Sequence, residues 1–270
     1  GKLFSQQSFS ATYYMKKPKL LRAVAAGLVA GSAARQIARS CGCSHTTVLR
    51  IANRLGRHSL LLRSLALEHI EEIRETVVFD HFETFQYCQV MQLGIGTPVG
   101  ATTWFTYDLD PVPHRMGGRM TASRKTKLKE QIGRWKGIPT GSYRKSTSSI
   151  VRSLLGKVPD SGSLNLVSDD HPAYRPAVIA TCRGRSFSHR IHPNPKRGKN
   201  EPDHSARARA RNAAMFPVNQ LHRLLRHSVA NHKRETIAFG RRANAIMLRG
   251  FLFIAWKNFI KDRSERRPTK

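Results

Sequence analysis

Apolar residues recur at helical spacing on either side of Cys41-Gly42-Cys43: Ile37 and Ala38 before it, then Val48, Leu49 and Ile51 after it. The pattern predicts two short helices within 32–53, joined by a tight turn. Ser32 and Ser44 stand where N-caps belong, with hydroxyls that can accept from the free amides of the next turn. Gly42 supplies the backbone freedom a sharp turn needs. A further helix is expected over about 20–29, and Leu60, Leu61, Leu65, Leu67, Ile70 and Ile73 predict a connecting helix over 57–75.

Past residue 75 the pattern changes. Thr76-Val77-Val78-Phe79-Asp80 is a β-branched run that ends in an acid, the profile of a buried strand, and Leu164–Asp170 repeats it. Strands are also expected over 85–93 and 99–107, around a turn at Gly94-Ile95-Gly96, and a helical island near 121–135. From Ser205 to about Lys261 the spacing is helical. Strands followed by a strand among helices imply an α/β domain with a mixed sheet and flanking helices, preceded by a small all-α domain. The boundaries this suggests are an arm at 1–17, a helical domain at 18–56, a linker helix at 57–75, the α/β domain at 76–261 and a charged tail at 262–270.

Charge then narrows the partners. The chain carries 47 Lys plus Arg against 17 Asp plus Glu, a formal +30, which would repel itself without a polyanion nearby. Nucleic acid fits, because each neutralised phosphate releases condensed counterions. With 40% hydrophobic residues the chain can still build a core, so it is no disordered basic tail. Within the helical pair, His45, Thr46, Thr47 and Arg50 would face a major groove of double-stranded DNA, with Arg50 suited to guanine. The basic segment His189–Lys199 offers Arg190, Lys196 and Arg197 to backbone phosphates, and Arg242 is a further candidate DNA contact. The four cysteines lack metal-ligand spacing, and the apolar stretch 251–260 is interrupted by Lys257 and too short to span a bilayer. No signal-peptide core opens the sequence, so a soluble, cytoplasmic protein is expected.

In a chain so poor in acids, the two that close the buried runs stand out. Asp80 and Asp169 on neighbouring strands can share a pair of divalent cations for in-line phosphoryl transfer, and an oxygen-rich site suits Mg²⁺ or Mn²⁺. His81 and His171, each beside one of these acids, are candidates for orienting a water or a phosphate. His189, His192, His222, His227 and His232 are expected as phosphate contacts or surface imidazoles.

Phe79-Asp80-His81-Phe82-Glu83-Thr84-Phe85 and Ser168-Asp169-Asp170-His171-Pro172-Ala173-Tyr174 resemble the first two catalytic blocks of bacterial insertion-sequence transposases of the DDE superfamily. There an acid is followed five residues later by an aromatic, here Phe85 and Tyr174. The Tyr174 offset favours Asp169, with Asp170 as the alternative. The resemblance implies a ribonuclease H-like fold behind an N-terminal helix-turn-helix. It also implies two Mg²⁺ or Mn²⁺ ions, terminal inverted repeats and target DNA as substrates, and a homodimer or higher assembly on nucleoid DNA. A third acid belongs on a C-terminal helix with a basic residue seven positions later, which Glu235 and Arg242 satisfy. A second register places that position at or near Asn219, in Phe216-Pro217-Val218-Asn219. The alternative function is therefore a non-catalytic DNA-binding protein, either a decayed or repurposed transposase or a regulator.

Overall fold

The computed structural model describes residues 5–135, 137–194, 205–233 and 236–262. It divides into two compact units, the described parts of Gly1–Leu65 with Leu224–Lys270, and Ala66–Arg223. Among the described residues no helix is long and apolar enough to cross a membrane.

The first unit is helical. Helices α1 (Leu20–Val29) and α2 (Ala34–Ser40) lead through a turn into α3 (His45–His69). Gly42 has φ +57°, a left-handed conformation that strains any residue with a Cβ, so the glycine fixes where α2 ends. Ser44 caps α3 as expected, its Oγ accepting from the Thr47 amide at 3.2 Å. Ser32 does not cap α2. The N-cap is Ala33, whose amide instead donates to Gln36 Oε1 at 2.8 Å, so the side chain that satisfies this terminus comes from inside the helix.

The expected break between a short helix and a linker is also absent, because α3 runs on for 25 residues. Its apolar face packs Val48, Ile51, Ala52 and Leu55 against Val24, Leu28, Ile37 and Ala38, with Leu252 closing the core. Leu252 belongs to α9 (Ala243–Phe259). The sequence boundaries put this segment with the sheet, yet its apolar residues complete the N-terminal helical core. The arm is partly docked too: Arg54 on α3 donates to the carbonyls of Ala11 and Tyr13.

The second unit is a five-stranded mixed sheet flanked by helices. Its strands are β1 (Val77–Phe85), β2 (Met91–Gly100), β3 (Asp110–Arg115), β4 (Ser163–Ser168) and β5 (Ser186–Ile191), in the order β3-β2-β1-β4-β5. β1, β2 and β3 are antiparallel, whereas β4 runs parallel to both β1 and β5. The strand that was expected to stop at Asp80 continues to Phe85, and β2 passes straight through Gly94-Ile95-Gly96.

Those glycines leave room rather than turn the chain. A Cβ at Gly96 would lie 2.6 Å from Ile150 Cδ1 and 3.1 Å from Ser146 Oγ, so helix α5 (Ser142–Leu155) can press onto the sheet there. Helix α5 and helix α6 (Tyr174–Thr181) bury the face that carries Phe79, with Ile150, Leu154, Leu166 and Val178. Phe82 on the opposite face meets helix α8 (Phe216–Ser228), where the His222 ring lies 5.3 Å from it. Helices α4 (Ala122–Arg134) and α7 (Ala206–Ala214) complete the described elements of this unit.

Candidate functional site

Strand register builds the site. The parallel pairs Val77↔Leu166, Val78↔Val167 and Phe79↔Ser168 end β4 one residue short of Asp169, so Asp80 and Asp169 follow side by side on neighbouring strands. Local hydrogen bonds hold both carboxylates. Asp80 Oδ1 accepts from the His81 amide at 2.7 Å and from the Tyr174 hydroxyl at 3.2 Å. Asp169 accepts from the His171 amide at 3.1 Å and, through its other oxygen, from Asn194 Nδ2 at 3.0 Å. Asp170 is exposed and accepts from the Asn194 amide at 3.2 Å. Asp169, the acid five residues before Tyr174, is therefore the one that faces Asp80.

Electrostatics mark the pair as strained. Burial, then the negative charge of Asp169, pushes the Asp80 carboxyl up to about 7, against the hydrogen bonds that favour its ionised form. Burial likewise raises Asp169. In a chain of net charge +30, no lysine or arginine among the described residues forms an ion pair with either carboxylate. The nearest base is His222, its Nδ1 3.9 Å from Asp80 Oδ2.

Two half-buried carboxylates with no lysine or arginine partner among the described residues are a donor set that suits Mg²⁺, which binds through one or two carboxylates together with waters and substrate phosphates. They are not a closed cage: among the described residues no three His, Cys, Asp or Glu converge to hold an ion by themselves.

The histidines beside the two acids are held by specific contacts. His81 is buried, with Nδ1 2.7 Å from the Tyr174 hydroxyl and Nε2 3.4 Å from Ser146 Oγ. Burial, reinforced by the neighbouring imidazoles, lowers it to about 3, so it is a neutral ring whose two nitrogens face the Tyr174 hydroxyl and Ser146. His171 holds Asp169 by its amide and stacks its ring on Tyr143 with centroids 4.5 Å apart. His222 is no surface imidazole: Nε2 lies 2.8 Å from Thr97 Oγ1, which itself donates to the Asp80 carbonyl at 2.8 Å.

Three further residues escaped the sequence pattern. Tyr143 donates to Glu83 at 2.6 Å, and His114 lies 3.3 Å from the same carboxylate, which forms a polar rim on the His81 side of β1. Only alternation along β1 hinted at Glu83, two residues beyond His81 on one face. Asn219 lies three residues before His222 on α8, and helical spacing puts the two on one face.

Of the proposed DNA contacts, His45, Thr46 and Arg50 are exposed at the start of α3, whereas Thr47 is half-buried with its Oγ1 2.9 Å from Ser44 Oγ. Arg190 is exposed on β5 and Arg242 is exposed as the N-cap of α9. The segment taken as a basic loop begins as a strand, for His189–Ile191 belong to β5. Lys196, Arg197 and Glu235 lie outside the described residues. No protein-family model matches this chain, and no curated protein matches it.

Proposed function

We propose that this chain is a DNA transposase of the DDE type, which binds duplex ends through its N-terminal helices and cleaves and joins strands at Asp80 and Asp169. The observation that carries the reading is the juxtaposition of these two half-buried carboxylates where β1 and β4 run parallel, with no lysine or arginine among the described residues paired to either. The order β3-β2-β1-β4-β5, with the first three strands antiparallel, agrees with a ribonuclease H-like sheet. The pair α2–α3 with its capped turn at Gly42–Ser44 agrees with a helix-turn-helix that presents His45, Thr46 and Arg50.

Asp80 and Asp169 would hold the divalent ions, Mg²⁺ or Mn²⁺, which when bound activate an attacking oxygen and stabilise the leaving one. The chain's own contribution is to fix those carboxylates. The His81 amide and the Tyr174 hydroxyl orient Asp80, while the His171 amide and Asn194 orient Asp169. Joining two ends calls for an assembly of at least two chains on DNA.

One observation favours a second reading, a DNA-binding protein without cleavage. The α8 face whose His222 reaches toward Asp80 carries Asn219 one turn earlier, an amide where a third carboxylate would serve. An amide oxygen can ligate Mg²⁺ but brings no charge.

The test is strand cleavage on duplexes tiled across the DNA that flanks the coding sequence, in Mg²⁺, in Mn²⁺ and in EDTA, with Asp80→Ala and Asp169→Ala alongside. Metal-dependent nicks that both variants lose support the transposase. Sequence-selective binding without nicks supports the second reading, and a gain of nicking in Asn219→Asp would then place the missing charge.

A further inference from the structure

We infer that the outer end of the β1–β2 hairpin, together with α4, forms a second DNA-binding surface, one that grips an unpaired strand by stacking a base on Trp135. The inference rests on the DNA-processing reading for its choice of DNA. Its own evidence lies away from the Asp80 pair.

α4 is anchored by a narrow face. Leu128 is buried with Val90 and Met91, and Met116, Met120, Ile132 and Ile138 pack around them. Everything else on the helix that carries charge is exposed: Arg124, Lys125, Lys127, Lys129 and Arg134, against the one acid Glu130. A helix so basic, seated on so small an apolar base, would be repelled by the rest of a +30 chain unless a polyanion lay along it.

The helix ends at an aromatic shelf. Trp135 follows α4 and is 42% exposed, with the Tyr87 ring edge-on at 6.3 Å. Tyr87 sits in the hairpin turn at φ +62°, a left-handed conformation that costs a bulky residue energy and so has to be held in place. Arg134 does the holding: it donates to the Tyr87 hydroxyl at 2.8 Å and lies 5.1 Å from the ring centroid. The result is a part-exposed indole edge-on to a tyrosine that Arg134 holds, at the end of a basic helix.

Basic residues that track a backbone beside an aromatic stacking face are the combination that binds single strands, since every base has a π-face. A groove reader of duplex DNA would need no exposed indole. Tyr87 lies seven residues past Asp80, about 20 Å along the strand direction, which is the length of roughly six stacked nucleotides. A strand unpaired beside the cleavage position therefore falls within reach of the shelf.

The test is binding in EDTA, so that cleavage plays no part, to a blunt duplex and to the same duplex with a ten-nucleotide single-stranded DNA tail. The full chain should prefer the tailed duplex. Trp135→Ala, at an exposed position that leaves the fold intact, should lose that preference by about 5- to 150-fold with unchanged affinity for the blunt duplex. Lys127→Glu with Lys129→Glu should flatten the salt dependence of tailed-duplex binding.

Asp80→Ala should retain the preference, which separates this surface from the cleavage site. No preference in the parent, an undiminished preference in Trp135→Ala, or tighter binding to an RNA tail than to the DNA tail would each overturn the inference. A preference that Trp135→Ala abolishes supports it even where no nicking is found.

Discussion

The Tyr174 hydroxyl lies 3.2 Å from Asp80 Oδ1, so the first turn of α6 braces a carboxylate in the middle of β1. The same oxygen is 2.7 Å from His81 Nδ1, and the tyrosine ring lies 5.0 Å from Phe79. One residue therefore links the acid, its neighbouring imidazole and the core.

Tyr174→Phe keeps the ring in place and removes only the hydroxyl. Buried His81 and half-buried Asp80 lose a partner, so the variant should be less stable by about 1–3 kcal/mol in urea unfolding. The hydroxyl also favours ionised Asp80, so its loss pushes that carboxyl still higher and should move the rise of any metal-dependent activity to higher pH. Unchanged stability together with an unchanged pH profile would show that the contact does neither.

Asp80→Asn separates stability from function. The folded carboxyl sits at about 7 against an ordinary 3.8, so the native state keeps a proton that the unfolded chain releases, and stability falls as pH rises between those values. Asparagine has the same acceptor oxygen and no charge to lose. In EDTA at pH 8 the variant should melt above the parent, by an amount worth a few kcal/mol, and the two should converge near pH 4. Millimolar Mg²⁺ should raise the melting point of the parent and leave the variant unmoved. A variant less stable than the parent at pH 8 would mean that burial and the Asp169 charge together do not raise the Asp80 carboxyl.

Much of this arrangement can be read along the chain, and the exceptions share a cause. The β-branched runs that end in Asp80 and Asp169 mark two strands, and the spacing to Tyr174 picks Asp169, because these signals are local. β2 hides because Gly94 and Gly96 look like a turn. Their bareness serves a helix that arrives fifty residues later, with a Cβ at Gly96 set to meet Ile150. α5 hides for the complementary reason. Its first turns are rich in serine and threonine, and burial of Ser146, Thr147, Ile150 and Val151 against the sheet overrides that weak propensity. His222 lies 142 residues from Asp80, and no pattern along the chain announces a contact made only by packing.

Gly56 sits in the middle of α3, where alanine would ordinarily favour the helix by about 1 kcal/mol. A Cβ there would lie 2.5 Å from both Cβ and the carbonyl oxygen of Leu248 on α9. Backbone cannot yield as a side-chain tip can, so Gly56→Ala should destabilise the helical unit by about 1–3 kcal/mol or more. Thermal melting with helix content read at 222 nm checks this. A variant that melts at or above the parent would mean that the two helices part easily.

His232 offers a pH test in the helical unit. It is 3% exposed, near Asn231, whose amide donates to the Ala238 carbonyl at 3.0 Å and whose oxygen accepts from Arg249. Burial first, then the positive charges of Arg226 and Arg249, lowers its pKa to about 3 from an ordinary 6.5. Between those values the unfolded chain binds a proton that the native state refuses, so stability falls as pH falls, by about 1.4 kcal/mol per unit, and the loss is complete below about 3. His232→Gln cannot take up that proton. From pH 7 to pH 4.5 the parent should therefore lose about 2–3 kcal/mol more than the variant in urea unfolding, whatever the other titrating groups contribute to both. Equal losses would show that His232 protonates in the native helices as readily as in the unfolded chain. Burial and the charges of Arg226 and Arg249 would then not disfavour its protonated form.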